Sequence, residues 1–369
     1  MMKVIVSFIL IIHGLIHLMG FMKAFELAEI SQLKQSISKP VGIFWLLATV
    51  LIFGVAIFYV LDKKWWWVPA LIAIIISQSL IILSWQDAKF GTIPNIIILI
   101  AVIVGFGVWN FNIQVDGEIN NILTQNQVTE NTIVKEQMIS NMPSIVQKWL
   151  TNSGIVGKEK THSVYLKQKG LIKLKPDQKK WTKAEAEQYI TIDKPAFLWK
   201  VKMSIMPFLN VFGRDYFVDG KGQMKMKIAS IIPVANVDSN KKVNQASLQR
   251  YLAELIWYPS AAISPYIEWE SVDQYTAKAT MTYKGVSGSV TFYFNEKGDL
   301  EKIWAKRYKD SDENARLKEW SGEVNEFSTV NGIKIPTDID ISWVLDGEKF
   351  TWYRLQISEI EYNISQHKL

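Results

Sequence analysis

Apolar residues fill the first third of the chain in four uncharged runs, separated by short segments that carry lysines and acids. The runs cover residues 4–22, 41–61, 65–85 and 94–111. Each is long enough to cross the hydrocarbon core of a bilayer as an α-helix. Because three further runs follow the first, we interpret the first as an uncleaved helix and not as a signal peptide. The pattern predicts a four-helix transmembrane domain over residues 1–113.

A period of two replaces these runs after residue 161 and predicts antiparallel strands that are half-buried. Glycines in Asp-Gly, Asn-Gly and Lys-Gly pairs separate the alternating segments, as tight hairpins require. About ten strands are predicted, at 164–169, 197–204, 214–218, 224–228, 276–283, 289–294, 300–308, 322–330, 334–343 and 349–357. These strands place a β-rich domain at 136–369, after a polar segment at 114–135 that we interpret as a linker.

Two helices accompany these strands. The first follows Pro143, presents Ile145, Val146 and Trp149 on one face, and ends at Gly154. The second, at residues 245–257, has an apolar face and stops before Pro259. The fold class expected for this domain is α+β and mainly antiparallel β: a curved sheet or incomplete barrel whose concave side receives the second helix. Such a shape can hold an apolar ligand.

Charge and composition exclude several partners and chemistries. Seven of the 41 basic residues and four of the 35 acidic residues precede residue 113, which leaves 34 and 31 downstream. This near-balance makes nucleic acid an unexpected partner. The chain has no cysteine, so disulfides and thiolate chemistry are excluded, and we expect no cofactor. Residues 114–134 contain acids but no Lys or Arg, which favours an extracytoplasmic β-rich domain on a cytoplasmic-membrane anchor.

His13 and His17 lie four residues apart in the first apolar run, on one helix face. Polar groups in lipid are costly and often functional, so they are weak candidates for a metal site. The other runs offer no acid, Cys or His to complete such a site. The alternative is that the histidines form hydrogen bonds with a neighbouring helix.

Motifs between about residues 149 and 362 resemble a family of uncharacterised bacterial membrane proteins, known only as a domain of unknown function. The matching residues include Lys167-Gln168-Lys169-Gly170, Pro195-Ala196-Phe197-Leu198-Trp199, Gly213-Arg214-Asp215, Arg250-Tyr251-Leu252-Ala253-Glu254 and Trp257-Tyr258-Pro259. The resemblance implies membership without an assigned activity. The first helix, from His13-Gly14-Leu15, is also loosely similar to DoxX-like membrane proteins. By strand count and lid helix, the β-rich domain resembles the half-barrels of bacterial lipoprotein carriers.

Arginine is scarce in this lysine-rich chain, with five residues, at 214, 250, 307, 316 and 354. Each is a candidate for a paired contact that lysine cannot make. The candidate ligand-binding residues are Arg214, Asp215, Arg250, Tyr251, Glu254, Arg307 and Tyr308. If they converge, they can bind a carboxylate or phosphate head group. The alternative is a set of internal ion pairs that joins the helix to the sheet.

Catalytic motifs are absent from the sequence: it has no phosphate-binding glycine loop, nucleophile elbow or zinc-protease helix. The carboxylates of Asp215, Glu254, Glu268 and Glu270 could form an acid–base pair, and His162 is expected at the surface without a partner. The leading hypothesis is a membrane-anchored module that binds membrane lipids or another apolar ligand. The alternatives are a structural or assembly partner in the cell envelope, with an unknown protein partner, and an envelope hydrolase.

Overall fold

The computed structural model describes residues 2–126, 132–206 and 209–368. It divides into two compact units, Met1–Ile113 with Ala229–Ile231, and Gln114–Ile228 with Ile232–Leu369. The first contains the apolar helices and the second contains the β-sheet.

The N-terminal unit is helical. Its helices are α1 (Met2–Ala24), α2 (Lys39–Val60), α3 (Trp67–Leu83), α4 (Trp85–Ala88) and α5 (Thr92–Gln125), and a 3-10 turn at Lys89–Gly91 joins the last two. Three helical segments are long and apolar enough to span a membrane, namely Lys3–Ala24, Lys39–Val60 and Trp85–Gln125. These segments indicate a membrane-associated protein.

Candidate spans correspond to three of the four predicted apolar runs, whereas the third run forms α3, which has only 17 residues. Residues 61–66 form turns before it, and its last residue is followed by Ser84 in a non-helical conformation. Both features shorten the third apolar run, which was expected over 65–85. Its length falls at the lower limit for a helix that crosses a bilayer.

Residues 114–135 are predicted to form a linker, but in the structure α5 continues into this segment as far as Gln125. Val115, Ile119, Ile122 and Leu123 are buried, and their spacing is that of one helical face. Ile133 then forms a β-bridge with Glu159. Polar residues on the other side of the helix masked this periodicity, and the remainder of the segment, 127–131, lies outside the described residues.

The second unit is one sheet of thirteen strands within the described part of the chain. The strands are β1 (Ser163–Ile172), β2 (Thr182–Thr191), β3 (Ala196–Met206), β4 (Leu209–Val218), β5 (Lys221–Ile228), β6 (Ile232–Val237), β7 (Ile267–Asp273), β8 (Thr276–Tyr283), β9 (Val286–Phe294), β10 (Leu300–Tyr308), β11 (Leu317–Val330), β12 (Ile333–Leu345) and β13 (Glu348–Tyr362). Their order is β6-β5-β4-β3-β2-β1-β13-β12-β11-β10-β9-β8-β7. This confirms the predicted antiparallel curved half-barrel, with β2, β6 and β7 added to the predicted strands.

The connection between the two edge strands places a helix across the sheet. After β6 the chain enters α8 (Lys241–Ala253), continues through 3-10 turns at Glu254–Trp257 and Pro259–Ile263, and starts again at β7. Helix α8 contacts β4 and β5 on one arm of the sheet and β8, β9 and β10 on the other. It therefore bridges the concave face, as predicted.

Local signals explain the two helices predicted in this unit. A short helix, α6 (Glu136–Ile139), comes first. Helix α7 (Ser144–Asn152) buries Ile145, Val146, Trp149 and Leu150, and Gly154, which has a positive φ of 76°, follows it. Helix α8 begins four residues before the predicted start, because the Asn240 side chain accepts hydrogen bonds from the backbone N–H groups of Lys242 and Val243.

Candidate functional site

A cavity of about 520 Å³ lies between α8 and the concave face of the sheet. Most of its wall is apolar. The apolar residues include Ile172, Met203, Met224, Met226, Ile303, Ile339, Ile341 and Leu355 from the strands, and Val243 and Ala246 from α8. Side chains on a strand alternate between faces, so several strands direct their inward positions toward this space. Protein interiors are otherwise closely packed, and the cavity is the candidate site.

Arg250 of α8 forms an ion pair between the helix and the sheet. Its Nη1 donates to Asp215 Oδ2 at 2.6 Å, and its Nε donates to Glu254 Oε1 at 2.8 Å. The guanidinium carbon lies 4.9 Å from the ring centre of Phe197 and 5.0 Å from that of Trp199. Burial alone lowers the pKa of Arg250, but the carboxylates of Glu254 and Asp215 outweigh burial and raise that pKa. Arg250 therefore stays charged.

Two glutamines that the sequence analysis did not single out extend this network. Gln188 donates from Nε2 to Glu254 Oε2 at 2.5 Å. Gln168 accepts from Trp199 Nε1 at 2.9 Å and from the Tyr353 hydroxyl at 3.1 Å. Gln168 lies on the same inward face of β1 as Val164 and Leu166. A polar residue among apolar ones on that face was the sequence feature that could have indicated this contact.

Arg307 of β10 lies in the same cavity but has a different environment. Only 9% of the residue is exposed, and its guanidinium lies over the indoles of Trp320, at 4.6 Å, and Trp343, at 5.8 Å. Nη2 donates to the Ala246 carbonyl at 2.7 Å, whereas Nε has no acceptor among the described residues. No described carboxylate lies within ion-pair distance of it. Burial, and then the charge of Arg250, lower the pKa of Arg307 to about 10, so it is protonated at neutral pH.

Arg214 is adjacent to Asp215 in sequence but does not join the Arg250 network. Its Nε donates to Glu118 Oε2 of α5 at 2.6 Å, and Nη1 donates to Gln223 at 3.2 Å. Consecutive strand residues point to opposite faces. The structure therefore brings Asp215, Arg250 and Glu254 together and gives Arg214 a separate partner.

The two tyrosines of the predicted set also separate. Tyr251 is buried, and its hydroxyl donates to the Thr191 carbonyl at 3.2 Å, so it belongs to the core. Tyr308 lines the cavity, and Lys242 Nζ lies 5.5 Å from its ring centre. Lys242 is held by the carbonyls of Asp312, Glu313 and Ala315.

The remaining candidate carboxylates are outside the site. Glu268 and Glu270 are exposed on the edge strand β7, and Glu270 pairs with Lys278 at 3.3 Å. Neither lines the cavity. Asp215 and Glu254 both accept from Arg250, so each is part of an ion pair.

His162 was expected at the surface without a partner, and this expectation is wrong. It is 6% exposed, and its Nδ1 donates to Asp193 Oδ2 at 2.6 Å. Asp193 follows β2, whose last residue Thr191 pairs with Ser163 of β1. That long-range pairing places the carboxylate beside the imidazole, and no local pattern contains it.

His13 and His17 lie in the first unit. His13 Nε2 is 2.9 Å from Asn95 Oδ1 and 3.1 Å from Ser77 Oγ, whereas His17 Nδ1 donates to the His13 carbonyl at 3.0 Å. Within the described residues, no three His, Cys, Asp or Glu side chains are grouped as a metal site requires. The contacts of His13 are hydrogen bonds from α1 to α3 and α5, whereas the His17 bond lies within α1.

Comparison with known proteins gives a family but no activity. No curated protein matches the chain. The sequence model of a family of unknown function matches residues 140–362. This range extends from before α7 to the end of β13 and contains the strands and helix that surround the cavity. The chain therefore belongs to the family of unknown function DUF6920.

Proposed function

We propose that the β-rich domain binds a lipid or another apolar ligand in the cavity under α8, and that the apolar helices attach it to a membrane. The observation that carries the proposal is the cavity itself. Its volume of about 520 Å³ is within the range of small-molecule sites, roughly 300 to 1,000 Å³. Its wall also has their composition, mostly apolar with a few polar groups.

The size and lining of the cavity favour a ligand site over a packing defect. Large voids in a core are destabilising because the surrounding atoms lose contacts. Here three methionines, Met203, Met224 and Met226, lie on the wall. Methionine side chains adapt readily to ligands of different shape. A membrane supplies apolar ligands, and the chain carries helices long enough to span one.

We place this activity on the extracytoplasmic side of a bacterial cytoplasmic membrane. The support is the absence of Lys and Arg from residues 114–134, which contain Asp116, Glu118 and Glu130. The likeness to the half-barrels of lipoprotein carriers agrees with this proposal, as an analogy of shape alone.

A role as an assembly partner in the envelope is the alternative, and the edge strand β6 favours it. Ile232 and Val234 of this strand are 58% and 53% exposed, and an uncovered edge can pair with another chain. Pro233 lies between them and removes one backbone donor. We rank this role second because Pro233 protects the edge from pairing, whereas the cavity can receive a ligand.

Native mass spectrometry of the full chain in lipid nanodiscs tests the proposal. The wild type should carry a bound lipid or fatty amphiphile, and Ala246→Trp should lose it, because the indole fills the cavity from α8. Lys241→Trp is the matched control: Lys241 is exposed in the first turn of α8 and does not line the cavity. The control should keep the ligand. Equal occupancy in both variants, or a wild type that binds none, would contradict the proposal.

A further inference from the structure

Among the described residues that line the cavity, Arg307 is a buried cation without an ion-pair partner, and this restricts the class of ligand. We infer that Arg307 forms an anion subsite, so that the ligand of the cavity is an acidic amphiphile with a carboxylate or phosphate head. This inference rests on the function proposed above and names the substrate class of that same site.

Three arginines of the β-rich domain are largely enclosed, and two of them have carboxylate partners. Arg214 pairs with Glu118, and Arg250 pairs with Asp215 and Glu254. Arg307 is equally enclosed, but no described acid lies within 4 Å of it. A buried ion without a partner is destabilising. A fold that pairs two such arginines and leaves the third unpaired has a place for an external anion.

The unsatisfied polar atoms on the cavity wall have the same hydrogen-bonding character. Among the described lining residues, the buried side-chain atoms without a partner are Arg307 Nε, Trp320 Nε1 and Trp352 Nε1. All three are hydrogen-bond donors. The missing partner is therefore an acceptor, which a carboxylate or phosphate supplies and a hydrocarbon does not.

The Arg307 guanidinium is held in place before a ligand binds. The indoles of Trp320 and Trp343 contact the guanidinium and restrict its plane, as stacking on aromatic faces does. The bond from Nη2 to the Ala246 carbonyl holds one end. Arginine has five N–H donors in a fixed fork, so this bond leaves others for two oxygens of one anion.

Four acidic residues line the cavity and oppose anion binding: Asp310, Asp312, Asp215 and Glu254. Asp310 pairs with Lys309. Asp215 and Glu254 carry two negative charges, of which Arg250 neutralises one. Both are oriented by hydrogen bonds to Arg250, and Glu254 also accepts from Gln188. Neither is within ion-pair distance of Arg307, so an anion at Arg307 gains direct contacts and is repelled only over a longer distance.

A displacement assay on the full chain in nanodiscs tests the inference. The reporter is a dansylated undecanoic acid, and the competitors are decanoate, decyl phosphate and decanol, which share one chain length. Empty nanodiscs correct for partition into lipid. The wild type should prefer each acid over decanol by at least about tenfold, the factor expected for a charge-assisted hydrogen bond. Inorganic phosphate alone should not displace the reporter at concentrations where decyl phosphate does.

Arg307→Gln and Trp320→Phe should reduce the preference for the acids, and Arg307→Gln should bring it to within about twofold of decanol while decanol still binds. Lys241→Gln is the matched control, because it removes one positive charge from α8 at an exposed residue that does not line the cavity. It should leave the preference unchanged within about twofold.

The outcomes separate this inference from the proposed function. If decanol and both acids bind the wild type equally, or if Arg307→Gln retains the preference, the anion subsite is wrong while apolar binding stands. If Arg307→Gln lowers the melting temperature and weakens all three competitors alike, Arg307 is a structural link between β10 and α8. If phosphate alone competes as well as decyl phosphate, the site binds a free anion. If no competitor displaces the reporter, the proposed function itself fails.

Discussion

Arg250 is the residue whose removal has the most predictable consequence. Its side chain is 18% exposed, and those of its partners Asp215 and Glu254 are 21% and 11% exposed. In Arg250→Ala, both carboxylates lose their counter-ion while remaining enclosed by Gln188 and the rings of Phe197 and Trp199. The two negative charges then repel each other in a medium of low dielectric constant.

Removal of one partner from a buried ion pair typically costs about 3 to 5 kcal/mol. A domain of this size shifts its melting temperature by about 2 to 4 °C for each kcal/mol. The expected decrease is therefore about 6 to 20 °C. Arg250→Lys keeps the charge but cannot reach both acids with a planar fork, so its decrease should be smaller and still measurable.

Thermal unfolding of the full chain, followed by intrinsic fluorescence in one detergent, measures these shifts. Arg316→Ala is the matched control, since Arg316 is exposed and forms no ion pair with a described residue. Its free energy of unfolding should change by no more than about 0.5 kcal/mol.

The triple variant Arg250→Met, Asp215→Asn and Glu254→Gln removes all three charges together. It should recover part of the stability that Arg250→Ala loses, because isolated buried charges and not lost contacts dominate the cost. If Arg250→Ala melts with the wild type, the carboxylates are solvated or protonated after the change. The Arg250 network would then not be what joins α8 to the sheet.

Three further results are expected. Glu118→Gln should lower the melting temperature, because it leaves Arg214 buried without a counter-ion; no change would mean that the helix at 114–125 does not stabilise the domain. For the same reason a fragment from residue 114 should be soluble and rich in β-structure by circular dichroism, whereas one from residue 134 should be less stable, and equal melting would contradict this. Because the chain has no native cysteine, Ser271→Cys on the exposed strand β7 should react with a membrane-impermeant maleimide in intact cells; labelling only after lysis would place the domain in the cytoplasm.

The sequence was sufficient for the class of fold because both periodicities are strong in it. Strand β2 shows where this signal ends. Its first seven residues, Thr-Lys-Ala-Glu-Ala-Glu-Gln, are mostly residues that favour helices and include one β-branched residue, Thr182. It forms a strand because β1 and β3 pair with it along both sides. That stabilisation depends on tertiary contacts and leaves little trace in the local composition.

Part of the candidate site could also be predicted, through the phase of the strands. Trp199 occupies the inward phase of β3, and the register pairs it with Gln188 on one side and Asp215 on the other. These three residues form a row on the concave face, beneath Arg250. Once the pairing of β3 with β4 is known, Asp215 must face the cavity and Arg214 must face away. Without the register, adjacent residues on a strand with two half-buried faces cannot be distinguished.

The sequence alone does not distinguish a structural arginine from a ligand-binding one. Scarcity among lysines selected Arg214, Arg250 and Arg307 alike. Each has neighbours in sequence that could pair with it, yet only Arg250 uses such a neighbour, Glu254. The partner of Arg214 is 96 residues away, and Arg307 has none among the described acids. Because an ion pair requires contact in space, the unpaired member of the set is identified only by the folded chain. In the inference above, its charge is the one that the ligand neutralises.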